Sequence, residues 1–184
     1  MYKIGNIGNT KYRFFRRYKK MHFIGIFSSH LEFENIKENI QNQITQKNLQ
    51  LIHITSRNIE NMKNIMFETI LLCDQLHINE DQKEIFNKIC SHCKYSIINT
   101  DIFNNTKIIA QKTSNCITYG LNQKSTITVS SIQEDKAIIY IQRNLKNIEG
   151  KEIEMGETCI NLEGKKQISI ETILAIVSIS LIYN

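Results

Sequence analysis

Between residues 22 and 119, short apolar runs alternate with segments whose apolar residues recur at helical spacing. The run HFIGIF at 22–27 is typical of a buried strand. The segment behind it has apolar residues three, four and four positions apart, as on one helix face: Phe33, Ile36, Ile40 and Ile44. Strands that alternate with helices in this way favour a doubly wound, mostly parallel α/β sheet.

The same alternation predicts the other elements of this half of the chain. Further strands are predicted at 49–54, 67–73, 95–98 and 116–119. A short helical face is predicted over Ile59, Met62, Ile65 and Met66, and another helix over 102–112. Asn79, followed three residues later by Gln82, is typical of a capping box. The helix that starts there is predicted to bury Ile85, Phe86 and Ile89.

Beyond Gly120 the pattern changes to short strand-like runs separated by polar or glycine turns. These runs are STITVSSI, AIIYIQ, KEIEM and TCINLEG, and they predict a small antiparallel β extension. Residues 169–182 are predicted as a C-terminal helix, although their Ile, Val and Ser content also suits a strand. No repeat or linker is visible. We therefore interpret the chain as a basic arm, 1–20, and one α/β domain, 21–184.

The net charge of +5 originates in the arm, which holds seven cations and no acid, so the remaining 164 residues carry a net charge of −2. A slightly acidic domain argues against a nucleic-acid-binding body. The arm sequence KYRFFRRYKK interleaves aromatic residues with cations. It suits a solvated extension, and contact with RNA, an anionic membrane or an acidic protein remains an alternative. Met21 directly precedes the first predicted strand and is an alternative start.

Targeting and redox signals are sparse. No apolar stretch follows the cations of the arm, and the apolar stretch 173–183 is shorter than the roughly 20 residues that span a membrane. We therefore expect a cytoplasmic protein without a transmembrane segment. Five cysteines, an odd number, indicate reduced thiols. Cys90 and Cys93 bracket His92, but no second ligand pair exists, and on the predicted helix both cysteines continue its apolar stripe.

Five strings of the sequence form an ordered set. ITYGLN at 117–122 is followed by STITVSSI, and the earlier strings are IGI at 24–26, LIHITS at 51–56, FETI at 67–70 and IINTD at 97–101. Taken in chain order, these strings resemble the ATP-binding central domain of the Mur ligase family, which includes the folylpolyglutamate synthetases. The passage at 117–132 is similar to the family's I-T-Y-G-L-N … A-x-V-x-A-x-x-I passage. The resemblance covers about 22–182. It implies a P-loop-type fold, with ATP and Mg²⁺ as cofactors of an amide ligase. The family's N-terminal and C-terminal domains have no counterpart in this chain.

The site residues implied by this resemblance depart from the family's pattern. A phosphate loop needs glycines, a lysine and a Ser or Thr hydroxyl. Here the stretch runs Ser28-Ser29-His30, with Glu32 at the lysine position and Phe33 at the hydroxyl position. At about 4 Å and a dielectric near 20, that lysine-to-glutamate change turns an attraction of ~4 kcal/mol into a repulsion of similar size.

Two further positions depart in the same way. His53 takes the position of a glutamate implied to hold Mg²⁺, and Glu171 that of an asparagine implied to meet the base. We therefore expect a degenerate cofactor site that has lost ATP and Mg²⁺. Its residues are Ser28, Ser29, His30, Glu32, His53 and Glu171.

Other candidate chemistry follows the third predicted strand. Cys73 or Asp74 could form a dyad with His77, but no third group to orient the histidine can be named. His30 and His53 could lie at the same sheet edge and bind an ion or anion together. Solvent-facing or hydrogen-bonded histidines without chemistry are the simpler interpretation. We assign no catalytic residue and no metal site.

The functional interpretation is a non-catalytic, Mur-ligase-like domain that acts as an interaction or regulatory module on a protein partner. A link to cell-wall precursor synthesis is implied by the family alone. One alternative is an ATP-dependent amide ligase, or a ligase subunit, with a divergent nucleotide site. A second alternative is a protein tethered to RNA or a membrane surface by its basic arm.

Overall fold

The computed structural model describes residues 20–44, 48–75, 77–102, 115–162 and 168–184. Three α-helices lie in these ranges: α1 His30–Gln43, α2 Glu80–His92 and α3 Ile170–Tyr183. The strands are β1 His22–Phe27, β2 Leu49–Ile54, β3 Thr69–Leu72, β4 Tyr95–Asn99, β5 Asn115–Tyr119, β6 Ile127–Ile132, β7 Lys136–Ile141, β8 Leu145–Lys146, β9 Glu152–Ile153 and β10 Gly156–Asn161. A short 3-10 helix covers Ile59–Met62.

Eight of the strands form one sheet in the order β10-β7-β6-β5-β4-β3-β1-β2. All neighbours from β2 to β6 are parallel, whereas β6–β7 and β7–β10 are antiparallel. The predicted α/β fold with a mostly parallel sheet is therefore confirmed. The antiparallel strands continue the main sheet instead of forming a separate extension, because β6 pairs with the end of β5. Only β8 and β9 form a hairpin of their own.

Helices cover both faces of the sheet. Ile36 of α1 and Ile179 of α3 belong to the same apolar core as Ile97 of β4. Phe86 of α2 belongs to a second core with the next residue of that strand, Ile98. Since successive side chains of a strand point to opposite faces, α1 and α3 share one face and α2 packs on the other.

Most predicted elements are confirmed, two differ from the structure, and one lies almost wholly outside the described residues. Met66 is 71% exposed and lies outside the short helical segment, because the 3-10 helix ends at Met62. The third strand spans only 69–72. The predicted helix 102–112 lies outside the described residues beyond Ile102, which is in a turn with Asp101.

Residues 169–182 were predicted as a helix, with a strand as the alternative, and the helix is confirmed. They form α3, which begins after Ser169, and most of its side chains are buried. In the described part of the chain, no helix combines the length and apolarity needed to cross a membrane. Of the predicted basic arm, only Lys20 is described.

Candidate functional site

The strand order of the sheet reverses at β1. The chain passes from β1 through α1 to β2 on one side, and then crosses to β3 on the other side. In open α/β sheets, ligands bind in the crevice outside the carboxyl ends of the strands at such a switch point. A cleft of about 440 Å³ lies here. Its lining includes Ser29, Glu32, Asp74, Asp101, Glu171 and Thr172.

Ser28 and Ser29 are the whole connection between β1 and α1. Ser29 is the N-cap of α1, and its Oγ accepts a hydrogen bond from the backbone N–H of Glu32 at 3.3 Å. A P-loop needs a glycine-rich stretch of about eight residues whose N–H groups surround the phosphates. A two-residue connection is too short for such a loop. The cap also uses one of the N–H groups that a bound anion at a helix start would need.

The Glu32 carboxylate turns towards α3. The spacing of Ser29 and Glu32 is typical of a capping box, in which the glutamate would return to the N-cap backbone. Instead, Glu32 Oε1 accepts a hydrogen bond of 3.4 Å from the Thr172 hydroxyl. Burial raises the pKa of the Glu32 carboxyl; the Thr172 bond opposes this shift, and the charges of Asp74 and Glu171 reinforce it. The side chain at the expected lysine position therefore adds a poorly compensated negative charge to the cleft.

The cleft as a whole is acidic. Glu32, Asp74, Asp101 and Glu171 line it, and the described lining residues include no lysine or arginine. Because a nucleoside triphosphate carries several negative charges, these carboxylates repel it. The N-termini of α1 and α3 favour anions, but the first turn of each helix already carries a carboxylate, Glu32 in α1 and Glu171 in α3.

His53 lies behind the β1–α1 connection and is not among the residues that line the cleft. Its Nε2 donates to the Ser28 carbonyl at 2.8 Å, since a carbonyl oxygen only accepts. Its ring stacks on Phe33, with centroids 4.7 Å apart and planes inclined by 16°. The His30 and His53 rings lie side by side, 6.0 Å apart, as the sheet-edge argument predicts. These contacts fix the connection in place and give His53 a structural role.

Two glycines lie in the strings that resemble the Mur ligase family, and close packing explains why each position is a glycine. A Cβ on Gly25 would lie 2.6 Å from Ile54 Cδ1 and 3.1 Å from the Phe67 ring. Gly120 has φ +150°, and a Cβ there would lie 2.6 Å from Asp101 Oδ2. That carboxylate accepts hydrogen bonds from the backbone N–H groups of the two residues after Gly120, at 2.6 and 3.2 Å. Both glycines therefore serve close packing within the chain.

Of the predicted dyad residues, Asp74 and His77 line a second cavity of about 180 Å³, whereas Cys73 lines the acidic cleft. Asp74 lines both this cavity and the cleft, and His77 lines this cavity only. Asp74 Oδ1 accepts from the Gln75 N–H at 2.7 Å, and within the described residues no hydrogen bond joins Asp74 to His77. Burial, followed by the charge of Glu32, raises the pKa of Cys73 well above its ordinary value. An activated nucleophile needs the opposite shift.

Cys90 of α2 and Cys93, which follows the last residue of the helix, are both buried in the core under α2. Cys93 Sγ donates to the Ile89 carbonyl at 3.2 Å, and burial raises the pKa of Cys93 to about 12. His92 is exposed, and its Nδ1 lies 2.7 Å from the Lys88 carbonyl. No group of three potential metal ligands occurs in the part of the chain that the structure describes.

Two buried groups near the cleft carried no signal in the sequence. The Thr172 hydroxyl donates a hydrogen bond to Glu32, 140 residues earlier in the chain, and no local sequence pattern predicts this contact. The Tyr119 hydroxyl is fully buried and has no satisfactory hydrogen-bond partner among the described residues. Burial raises its pKa well above the ordinary value, and the nearby Cys73 thiol, a weak hydrogen-bonding group, adds to the shift.

The sequence was compared with known proteins. No protein-family model matches it, and no curated protein matches it either. The resemblance to the Mur ligase central domain therefore stays a prediction that depends on the quoted strings.

Proposed function

We propose that this chain is a non-catalytic domain of the Mur ligase central-domain type, which has lost nucleotide binding and acts as an interaction module. The two-residue connection Ser28–Ser29 carries the proposal, because it leaves no chain from which to form a phosphate loop. The position of this connection at the switch point of the sheet matters, since that is where a nucleotide would have to bind.

The electrostatics of the cleft support the same proposal. Adding a triphosphate to four carboxylates would require neutralising cations, and the described lining residues supply none. The side chains at the family's cofactor positions are already engaged within the protein. Glu32 accepts from Thr172, and His53 donates to Ser28.

An interaction role is supported by apolar side chains beside the cleft. Leu31 lines the cleft and is 73% exposed, and Leu121 is 48% exposed. The backbone N–H of Leu121 binds Asp101, which itself lines the cleft. A surface with exposed leucines next to carboxylates is better suited to binding another protein than to binding a polyphosphate. The link to cell-wall precursor synthesis depends on the resemblance alone.

A binding titration tests the proposal. Millimolar MgATP and a nonhydrolysable ATP analogue are added separately to the full chain, and thermal unfolding and heats of binding are recorded. We expect neither a shift nor a binding isotherm, whereas a ligand at 100 times its Kd would stabilise the folded state by about 2.7 kcal/mol.

The variant Glu32→Lys separates charge from backbone shape. Because the short connection remains, we expect this variant to fail to bind MgATP as well. A saturable shift in the unaltered chain that Ser28→Asp abolishes would contradict the proposal. That outcome would favour an ATP-dependent ligase with a divergent site.

A further inference from the structure

The carboxylates of the acidic cleft come from four separate elements and have no cation of the described chain among them. Glu32 and Glu171 lie in the first turns of α1 and α3. Asp74 and Asp101 lie just beyond the ends of β3 and β4. All four line one cleft of about 440 Å³, and the described lining residues include no lysine or arginine. The cleft therefore has the charge of a site for a cation from outside the described chain.

A buried hydroxyl beside the cleft lacks a hydrogen-bond partner. Tyr119 ends β5 and is fully buried, and its hydroxyl has no partner of good geometry among the described residues. The hydroxyl lies beside the Cys73 thiol and near the carboxylates of Glu32 and Glu171, whose charges add to the rise in its pKa that burial causes. Because those three residues line the cleft, the hydroxyl points towards its floor.

This hydroxyl is an observation independent of the carboxylates. A buried polar group without a partner is energetically costly, and nearly all such groups in native proteins are hydrogen-bonded. A ligand in the cleft that donates to the Tyr119 hydroxyl would remove this cost. The hydroxyl therefore indicates a ligand with a hydrogen-bond donor, and the carboxylates indicate that the ligand is positively charged.

The shape of the site favours a guanidinium group over a metal ion. In the described part of the chain, no three potential metal ligands converge on one point. The carboxylates are spread over the cleft, and they suit a larger cation that carries several donors. A guanidinium presents its N–H groups in a planar fork and can meet two carboxylates at once, whereas an ammonium group is a compact point charge.

Apolar surface beside the carboxylates favours an arginine that belongs to a protein. Leu31 lines the cleft and is 73% exposed. A protein segment brings apolar side chains next to its arginine, and these can cover an exposed leucine. A free polyamine has no comparable apolar group.

We propose that the acidic cleft binds an arginine side chain of a partner protein, with an apolar neighbour of that arginine packed on Leu31. The guanidinium lies between Glu32 and Glu171 and supplies the donor that the Tyr119 hydroxyl lacks. The inference rests on the proposed function, since it names the partner chemistry of the same interaction module. The repulsion among the carboxylates of the free cleft then serves the bound state, because the arginine relieves it.

A short peptide tests the inference in the full chain. The blocked peptide Gly-Leu-Arg-Leu-Gly is titrated by calorimetry, next to the same peptide with citrulline in place of arginine. Citrulline keeps the shape of the side chain and removes its charge. We expect saturable binding of the arginine peptide and about tenfold weaker binding of the citrulline peptide. The net charge of the chain is +5, so its overall field does not attract the arginine peptide.

A charge-matched pair of variants locates the binding. The double variant Glu32→Gln, Glu171→Gln should lower the affinity for the arginine peptide about tenfold or more. The control Glu34→Gln, Glu80→Gln removes the same charge from exposed positions of α1 and α2 that do not line the cleft. It should leave the affinity unchanged. Equal losses in the two double variants would overturn the assignment to the cleft.

Tyr119→Phe separates a binding role of the hydroxyl from a structural one. We expect about tenfold weaker peptide binding, and a melting temperature of the free chain that is unchanged or higher, because the variant loses an unsatisfied buried group. A lower melting temperature with unchanged peptide affinity would show that the hydroxyl is structural and would overturn its role in the site.

Leu31→Ser distinguishes a protein partner from a free polyamine, with spermidine as the second probe. It should weaken the arginine peptide several-fold and leave the affinity for spermidine unchanged. Spermidine that binds as tightly as the peptide, with no effect of Leu31→Ser on either, would overturn the protein partner. Absence of peptide binding, or equal affinities for the arginine and citrulline peptides, would overturn the inference. The loss of nucleotide binding would still stand in that case, since the MgATP titration tests it separately.

Discussion

Glu32 holds a carboxylate in a setting that disfavours its charge. The carboxylate lies near Asp74 and Glu171, and its hydrogen bond comes from the neutral Thr172 hydroxyl. Burial raises the pKa of Glu32 in the folded chain, so the protonated form is favoured there relative to the unfolded chain. The stability that Glu32 contributes is present below the unfolded pKa and is lost as the pH rises through the folded pKa.

We therefore expect Glu32→Gln to raise the melting temperature at neutral pH, because glutamine keeps the hydrogen bond from Thr172 and removes the charge. The gain should disappear below the ordinary glutamate pKa of 4.5, where the original side chain is protonated in both states. Thermal unfolding at a series of pH values measures it.

The control is Glu34→Gln, on an exposed position of α1 that pairs with Lys37 at 3.6 Å. A surface pair of this kind contributes at most about 1 kcal/mol, so its loss should leave stability unchanged or slightly lower. A lower melting temperature for Glu32→Gln at neutral pH would refute this account of the cleft.

At the scale of single elements, local sequence patterns predicted the helices and their caps well. Contacts between residues far apart in the chain could not be predicted in this way. The capping box of α2 depends on residues three positions apart, so Asn79 and Gln82 predict it, and both of its hydrogen bonds form. The helical spacing from Phe33 to Ile44 likewise matches α1. The meeting of α1 with α3 at Glu32 and Thr172 joins residues 140 positions apart. No periodicity or cap reports such a contact. The sequence did name Ser29, Glu32 and Glu171 as residues of one site, and all three line the cleft, but it did not indicate that Thr172 binds Glu32 there.

The capping box of α2 gives a prediction at this scale. Asn79→Ala removes the acceptor of the Gln82 N–H, which lies 2.9 Å away. We expect a loss of about 1 kcal/mol in the free energy of unfolding, measured by urea denaturation. Asn87→Ala, inside the same helix, is the matched control. Since alanine has the higher helix propensity, Asn87→Ala should be neutral or slightly stabilising. Equal losses in both variants would mean that the cap contributes nothing specific.

At the scale of the molecule, the two apolar cores share their strands. One core extends across the face under α1 and α3, from Ile26 of β1 to Ile139 of β7. The other lies under α2 and contains Ile70 and Ile98, on strands β3 and β4, which also contribute to the first core. Disruption of the core on one face of the sheet therefore also destabilises the core on the other face. One cooperative domain over residues 21–184, which the lack of a linker predicts, would require such coupling, and this interpretation stays a prediction.

Ile179→Ala tests this coupling, because Ile179 is fully buried in the core of the α3 face. We expect a loss of about 2–5 kcal/mol in the free energy of unfolding, as for other large-to-small core substitutions. Urea unfolding is followed by far-ultraviolet circular dichroism and by labelling of Cys93, which is buried in the core under α2. Both probes should show one transition at the same urea concentration, and Ile179→Ala should move both equally.

The control Ile132→Ala, at a side chain 56% exposed, should change the free energy of unfolding by about 0.5 kcal/mol or less. If Ile179→Ala shifted the dichroism transition and left the Cys93 transition in place, the two faces would unfold separately and the single-domain interpretation would fail.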